Sequence, residues 1–336
     1  MQMIIGLFTC ILSFLCPFLC FLHGLPLPKK VKPMLIERTE QLRALTGNYY
    51  ANNDFTKVEG DIEQATDELA RLVGEGVIAL AEKADDSDPL RRLVQRPIAI
   101  LATLRMYQKN DLSHEDDGRK FKVSTDGGDK LPWEWQLDRD DALQMEAYYR
   151  AVDSLITYLN KTKPEEWTST SLYRATRQLI VRSGAQFDMY FPINRSERTY
   201  LLLVPFIREA QLMTVADAYG ADWQKLLDED LDTDASKSES AAHYAAAMAV
   251  CLLAMGTALC RLPLKLLPCG VVRGYLAESG MRDSEPASLD DVRRASDWMR
   301  ADAARWIDKM KRARDGSEPD YELLPKNHPL NKYCRL

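Results

Sequence analysis

An alternating set of aspartates is the stretch whose residue types and spacing come nearest to a metal site. Asp230, Asp232 and Asp234 are spaced like the first ligands of a calcium-binding loop. Such a loop also needs a glycine at its sharp turn and a bidentate glutamate at its twelfth position, but Ala235 and Ala241 stand there. The sequence therefore predicts a solvated acidic loop and no calcium site.

A second cluster, formed by His114, Glu115, Asp116 and Asp117, offers one nitrogen and three carboxylate ligands in a row. Metal sites usually combine ligands from separated positions, and no second histidine or cysteine lies near this cluster in the sequence. We therefore predict that this segment, too, is a polar loop without a metal.

Three other kinds of residue could carry a function, and each has a simpler structural interpretation. His243 lies in an apolar stretch, where a hydrogen-bonded core histidine is the usual state. Asn160 and Asn194 begin glycosylation sequons, but the seven cysteines show no metal or redox spacing and favour a reduced compartment. Trp298 and Trp306 lie eight residues apart, which we interpret as one face of a core helix.

Signatures of catalysis and of nucleic-acid binding are missing from the sequence. It has no glycine-rich phosphate loop and no Ser/His/Asp or Cys/His arrangement that the residues alone support. The formal net charge of −6 repels phosphate backbones and predicts no specific nucleic-acid recognition. We therefore predict that the chain is not an enzyme and has no catalytic, cofactor-binding or metal-ligating residues and no cofactor.

Residues 1–33 form an apolar N-terminal extension with three interpretations. Residues 3–22 are long and apolar enough to be a single transmembrane segment, and Lys29, Lys30 and Lys32 follow them. A signal peptide would instead begin with positive charge, and Met34 is itself a plausible start of the protein. The extension is thus a misplaced start, a membrane anchor or a signal. We expect the body to be cytoplasmic or part of a virion, and it contacts a membrane only if these residues are retained.

The most apolar part of the body is the stretch 241–262, in which the first charged residue is Arg261. A helix that is apolar nearly all round must be covered by other helices or by lipid. Alanine contributes little to membrane insertion, and this stretch is rich in alanine. We therefore favour a buried central helix.

The spacing of apolar residues predicts a series of amphipathic helices around it. They are expected over 56–84, 90–106, 138–159, 200–227, 241–262 and 288–310. Pro97 predicts a kink or a restart in the second helix. One short strand is expected at 121–124, and 178–182 and 187–193 are β-prone runs. The tail 316–336 is expected to be extended.

The order of these predicted elements repeats. Ile62 and Ala65 followed by Gly74 are echoed by Ile207 and Ala210 followed by Gly220, and Ile156 and Leu159 match Ile307 and Met310. A repeat of this length indicates a duplicated domain. The sequence thus predicts an all-α protein of two related helical-bundle domains, over 34–165 and 166–315, with short irregular or β-prone linking segments.

The second predicted domain resembles a known group of proteins. The shared features are Phe187, Tyr190 and Phe191, the run 203–207 with Ala210, Gly220, the segment 267–271, and Pro286, Ala287 and Ser288 before the last helix. They resemble an uncharacterised family of unknown function encoded in phages and prophages of gut anaerobes. The resemblance covers about 180–310 well and 34–160 more weakly.

By genome context and helical architecture, that family resembles phage head-completion or head-to-tail connector proteins, which assemble as rings. The resemblance implies a non-enzymatic structural protein, a homo-oligomer whose partners are phage portal, capsid or tail proteins. Fold analogy alone does not establish a function. A membrane-anchored cytoplasmic scaffold or binding module and an enzyme of unrecognised type remain as alternatives.

Overall fold

A computed structural model of the chain describes residues 35–47, 54–115, 118–120, 132–228, 240–267, 270–273 and 287–316. The compact unit that contains them runs from Leu35 onward. The predicted extension at 1–33, the strand at 121–124, the aspartates at 230–234 and almost all of the tail lie outside the described residues. The division at 165/166 stays a prediction.

The described fold is all-α, as predicted, with two short hairpins added. In chain order the helices are α1 (Thr39–Thr46), α2 (Thr56–Val73), α3 (Glu75–Lys83), α4 (Pro89–Asn110), α5 (Glu134–Thr162), α6 (Glu165–Thr168), α7 (Ser171–Arg177), α8 (Gly184–Asp188), α9 (Glu197–Ala210), α10 (Ala216–Tyr219), α11 (Trp223–Leu227), α12 (Ala241–Arg261) and α13 (Leu289–Asp315). One antiparallel hairpin pairs β1 (Ser113–Glu115) with β2 (Gly118–Lys120), and the other pairs β3 (Leu264–Leu267) with β4 (Gly270–Arg273). Each hairpin lies between two long helices.

The helix predicted over 56–84 is interrupted at Gly74, so that part of the prediction is wrong. Gly74 has φ 93° and separates α2 from α3. A side chain there would be strained and would meet the Thr170 side chain, its Cβ lying 2.9 Å from Thr170 Cγ2. By contrast, α4 passes Pro97 without a restart, because buried apolar residues on both sides of the proline hold the helix together.

The helix predicted over 200–227 is also divided. After α9 the backbone makes one π-helical turn, Gln211–Val215, before α10 ends at Gly220 with φ 91°. A π-turn places one extra residue in the helix. The helical backbone continues through the π-turn to Tyr219, so the single-helix prediction is wrong at Gly220, after which α11 begins only at Trp223.

The two β-prone runs are not strands. Leu179, Ile180 and Val181 are buried in a bend, and their neighbours 184–188 form the short helix α8. Side chains take the place of a partner strand: Gln211 Oε1 accepts from the Ile180 amide at 2.9 Å, and the Tyr200 hydroxyl donates to the Val181 carbonyl at 2.9 Å. The runs were apolar because they belong to the core, not to a sheet.

Helix α12 is the core of the second half. Its small buried residues pack against α9 and α13, and Ser296 Oγ donates a hydrogen bond of 2.9 Å to the Gly256 carbonyl across the α12–α13 contact. Of the described helices, α12 alone is long and apolar enough to cross a membrane. In the fold, protein surrounds much of it, because alanine and glycine let neighbouring helices approach closely.

The two halves have the same order of elements. Each has a helix that ends at a glycine with positive φ, then a long apolar helix, a hairpin and a long amphipathic helix. Buried positions also correspond, with Val58, Ile62 and Ala65 in α2 and Leu203, Ile207 and Ala210 in α9. Gly74 follows Ala65 by nine residues, whereas Gly220 follows Ala210 by ten. The difference of one residue equals the extra residue that the π-turn adds.

Two glycines at helix contacts give opposite expectations for alanine. At Gly184 a Cβ would lie 2.8 Å from the Ser196 carbonyl oxygen, whereas at Gly256 its nearest neighbour, the Ser296 carbonyl oxygen, is 3.4 Å away. We expect Gly184→Ala to lower the free energy of unfolding by about 1–3 kcal/mol, because backbone must move. Gly256→Ala should be neutral or stabilising by up to about 1 kcal/mol, because alanine favours a helix. Urea unfolding of both variants measures this, and a larger loss for Gly256→Ala would contradict it.

Candidate functional site

A polar junction joins the long helix of the first half to the first helix of the second half. Asp153 on α5 accepts hydrogen bonds from the Ser196 hydroxyl at 3.1 Å and from the Arg198 amide at 2.7 Å. Ser196 is also the N-cap of α9, because its hydroxyl accepts from the Thr199 amide at 3.1 Å. One carboxylate of α5 therefore fixes the start of α9.

Glu197 lies in the centre of this junction with only 4% of its surface exposed. Its carboxylate accepts hydrogen bonds from the Gly184 amide at 3.0 Å, the Ala185 amide at 3.4 Å and the Asn160 side chain at 3.4 Å. Burial raises the pKa of the Glu197 carboxyl, although the two amide donors act in the opposite direction. Glu197 thus ties α5, α8 and α9 together.

Two aromatic contacts extend the junction. The Arg198 guanidinium lies 3.7 Å from the ring centre of Tyr149 on α5, a cation–π contact. The Trp167 indole donates to Asn160 Oδ1 at 3.0 Å, so that Asn160 links α6 to Glu197. Hydrogen bonds to neighbouring elements occupy both oxygens of the Glu197 carboxylate, and this arrangement suits the fixing of helices more than the transfer of protons.

Large apolar side chains are exposed at the N-terminal end of α5. Trp133 is 70% exposed, and Trp135 and Leu143 are each more than half exposed. We call these three residues the α5 tip. The fully buried residues of α5 begin further along, at Ala151, although Asp141 already accepts a hydrogen bond of 2.8 Å from the Gln108 side chain of α4.

A second exposed apolar region is the π-turn surface, formed by Leu212 and Met213. Met213 is 76% exposed. The π-turn directs Gln211 inward, where its amide nitrogen donates to the Gln178 carbonyl at 3.0 Å, and leaves Leu212 and Met213 outside. Sequence periodicity did not identify this surface, because it predicts which face of a helix is buried and not which exposed side chains lie together.

The structure also corrects the interpretation of the two tryptophans of α13. Trp306 is partly buried against Tyr244, but Trp298 is 69% exposed. Eight residues of an α-helix rotate a side chain by about 80° relative to the starting position, so the two rings do not share a face. The prediction that both belong to the core is wrong for Trp298.

Of the other residues considered for chemistry, those within the described ranges lie apart from one another. His243 is buried at the start of α12, as expected for a core histidine, and Asn194 lies in a left-handed turn with φ 56°. His114 and Glu115 belong to strand β1, whereas residues 116, 117 and 230–234 are outside the described residues. Within the described ranges, no three His, Cys, Asp or Glu side chains are grouped as metal ligands.

One open cavity of about 320 Å³ lies between α3, α4 and the end of α5. Its polar lining comes from Lys83, Asp88, Tyr158 and Thr162. Asp88 is occupied as the N-cap of α4, accepting from the Leu90 amide at 2.8 Å. Because the cavity brings together no set of groups with a recognisable reaction, the exposed helix surfaces are the better candidates for function.

Comparison with known proteins finds a family match for one part of the chain. Residues 215–331 match a family described as a family of unknown function (DUF6712). The match covers about a third of the chain, from the end of the π-turn into the tail, and agrees with the expected similarity of the second half to an uncharacterised family. No curated protein and no solved structure matches the chain.

The junction predicts a pH dependence of stability that can be assigned to Glu197. Its folded-state pKa lies above the ordinary value of 4.5, so the folded state holds this proton more tightly than the unfolded state. Its contribution to stability is therefore complete below that ordinary value and is lost as the pH rises through the folded-state pKa. We expect the free energy of unfolding of the wild type, minus that of Glu197→Gln, to fall as the pH rises above about 4.5 in urea titrations.

Glu209→Gln is the matched control for this measurement. A hydrogen bond from Arg261 lowers the pKa of the exposed Glu209 carboxyl. Its contribution is present above the ordinary value of 4.5 and lost as the pH falls below it, so the corresponding difference should rise with pH below about pH 4.5 and stay flat above that value. A flat difference curve for Glu197→Gln, or a slope of the same sign as that of the control, would contradict the assignment.

Proposed function

We propose that the chain is a non-enzymatic structural subunit that assembles with copies of itself, as a head-to-tail connector or adaptor of a phage. The observation that carries this proposal is the exposure of large apolar side chains on helices. They lie at the α5 tip, on the π-turn surface and at Trp298. Monomeric proteins rarely expose such residues in groups, and tryptophan and methionine are enriched where proteins associate.

The rigidity of the fold supports the same proposal. A ring subunit must hold its contact surfaces at a fixed distance and angle to each other. Heterologous contacts close into a ring only when the rotation from one subunit to the next has a defined value. The junction of Asp153, Glu197 and Arg198 provides such a fixed relation between α5 and α9. The assignment to phages rests on the resemblance of 180–310 to a phage-encoded family.

The repeated order of elements supports duplication as the origin of the fold. Gly74 and Gly220 have nearly the same positive φ, 93° and 91°, at equivalent helix ends. The long helices α5 and α13 also bury corresponding residues, Val152 and Leu159 in one and Ala303 and Met310 in the other.

The mass of the full chain in solution tests the proposed function. We expect a discrete oligomer in light scattering after gel filtration, and closed rings in electron micrographs, because heterologous contacts of fixed geometry close on themselves. A mild non-ionic detergent, whose mass is subtracted, keeps the apolar residues 3–22 from causing aggregation. A monomer up to about 100 μM would contradict the proposal, since working interfaces have a Kd well below that value.

A further inference from the structure

The outer face of helix α13 is centred on an exposed tryptophan, Trp298. The helix packs mainly on α12, and its buried side chains Ser296, Ala303 and Met310 lie about 120–160° from Trp298 around the helix axis. The indole, which is 69% exposed, therefore points away from the core. Tryptophan is enriched where proteins associate, so a tryptophan exposed in the middle of a long regular helix favours a protein contact at this face.

The charges on the two sides of Trp298 follow a pattern that is reversed about it. Asp291 lies seven residues before the tryptophan and Arg294 four before, whereas Asp302 lies four residues after it and Arg305 seven after. At about 100° per residue, all four lie within about 40° of Trp298 around the helix axis, so they belong to one face. At each of these two distances from Trp298, the face thus carries an acid on one side and an arginine on the other.

This pattern is complementary to itself when two copies of the helix pack in opposite directions. With a two-fold axis at Trp298, each residue is level with the residue of the second copy at the same distance on the other side. Asp291 is then level with Arg305 of the second copy, and Arg294 with Asp302 of the second copy. Parallel packing in register would instead place like charges level. The charges therefore favour the antiparallel pair.

Within one chain these four charges form two ion pairs, so none of them would enter the contact alone. Arg294 Nη2 lies 2.7 Å from Asp291 Oδ1, and Arg305 Nη2 lies 3.0 Å from Asp302 Oδ1. In the antiparallel arrangement the two kinds of pair lie side by side with opposite polarity. Each end of the contact then holds a network of four charges, and a network stabilises more than an isolated exposed pair does.

Acidic residues at the edge of the face carry the opposing charge. They lie about 80–100° from Trp298 around the helix axis and are exposed, so their carboxylates stay in water, where salt screens them. These residues are Asp290, Asp297, Asp308 and Asp315.

The remaining basic residues of α13 lie outside the paired region. Lys309 would be level with the uncharged Ala287 of the second copy, and its Nζ already lies 4.7 Å from the ring centre of Trp306. Arg312 would lie beyond the start of the second copy's helix. The others are on the opposite side of α13, more than about 130° from Trp298. They are Arg293, Arg300, Lys311 and Arg314.

The small residues of the face also suit a contact between two copies. Ala295 and Ala301 lie three residues before and three residues after Trp298, within about 60° of it around the axis. The two-fold arrangement places Ala295 level with Ala301 of the second copy. Small side chains at these positions leave room for each indole to lie against the other helix.

We propose that two copies of the chain associate through this face of α13, antiparallel and with a two-fold axis at Trp298. The contact goes beyond the proposed function, because it does not depend on a role in a phage. A two-fold contact joins two copies and then stops. It therefore joins two chains or, where other contacts form rings, two rings.

Trp298→Ala in the full chain tests whether this face carries the contact. We expect the variant to halve the mass of the wild-type assembly in light scattering, in the same mild detergent, because two chains or two rings then separate. Urea unfolding should stay as in the wild type, since replacing an exposed side chain changes the core little.

An exchange of charges tests the orientation. Asp302→Arg with Arg305→Asp keeps the composition, the net charge and an ion pair at the same spacing, but it makes like charges level in the antiparallel pair. We expect this double variant to need at least about tenfold more protein for pairing. Adding Asp291→Arg and Arg294→Asp should restore the wild-type mass, since opposite charges are then level again. Ser288 still caps the helix in that variant, because its hydroxyl accepts from the backbone amide of residue 291.

A matched control exchanges an exposed ion pair on another helix. Glu146 and Arg150 form such a pair on α5. Glu146→Arg with Arg150→Glu also keeps the composition and the net charge, and it should leave the mass of the assembly unchanged.

The outcomes separate this contact from the proposed function. Rings whose mass changes neither in Trp298→Ala nor in the double variant would overturn the contact and leave the proposed function standing. Loss of pairing in the double variant without recovery in the fourfold variant would also overturn the contact. A wild-type dimer that Trp298→Ala converts to a monomer, with no larger species, would support the contact and count against the ring. A monomeric wild type would overturn both.

Discussion

The stability of the fold depends on the burial of one apolar helix, α12. Helix α12 has no charged side chain before Arg261 and is apolar on almost every side, so it gains stability only where other residues exclude water from it. Helices α9 and α13 do this directly, and the buried bend around Ile180 closes the core beside them. Small residues along α12 bring these neighbours close, and the hydrogen bond from Ser296 to Gly256 lies in that close contact.

A second constraint, the satisfaction of buried polar groups, gives the fold its internal geometry. Where the chain bends at 178–183 it forms no helix or sheet, and Gln211 and Tyr200 supply the missing hydrogen-bond partners. Glu197 does the same for the start of α8, while Asp153 fixes the start of α9. These side chains are polar for structural reasons, because they fix the direction of α8 and α9.

Periodicity predicted the helices well because burial of one face leaves a regular pattern in the sequence. The all-α class, the long apolar helix and the last amphipathic helix followed from such patterns. The π-turn, the break at Gly74 and the bend at 178–182 did not, because each depends on contacts with distant residues. Of the candidate surfaces, none was predicted: Trp298 was assigned to the core, and neither the exposed Met213 nor the α5 tip was singled out.

The sequence alone therefore determined which segments form helices and which of their residues are apolar, since these are local properties of side chains and their spacing. It also contained the repeated order of elements. Tertiary structure decided which apolar residues remain outside and which polar residues are buried, because burial depends on the neighbours that folding brings together. For this reason Trp298, which was predicted to lie in the core, is exposed, and the carboxylate of Glu197 is buried.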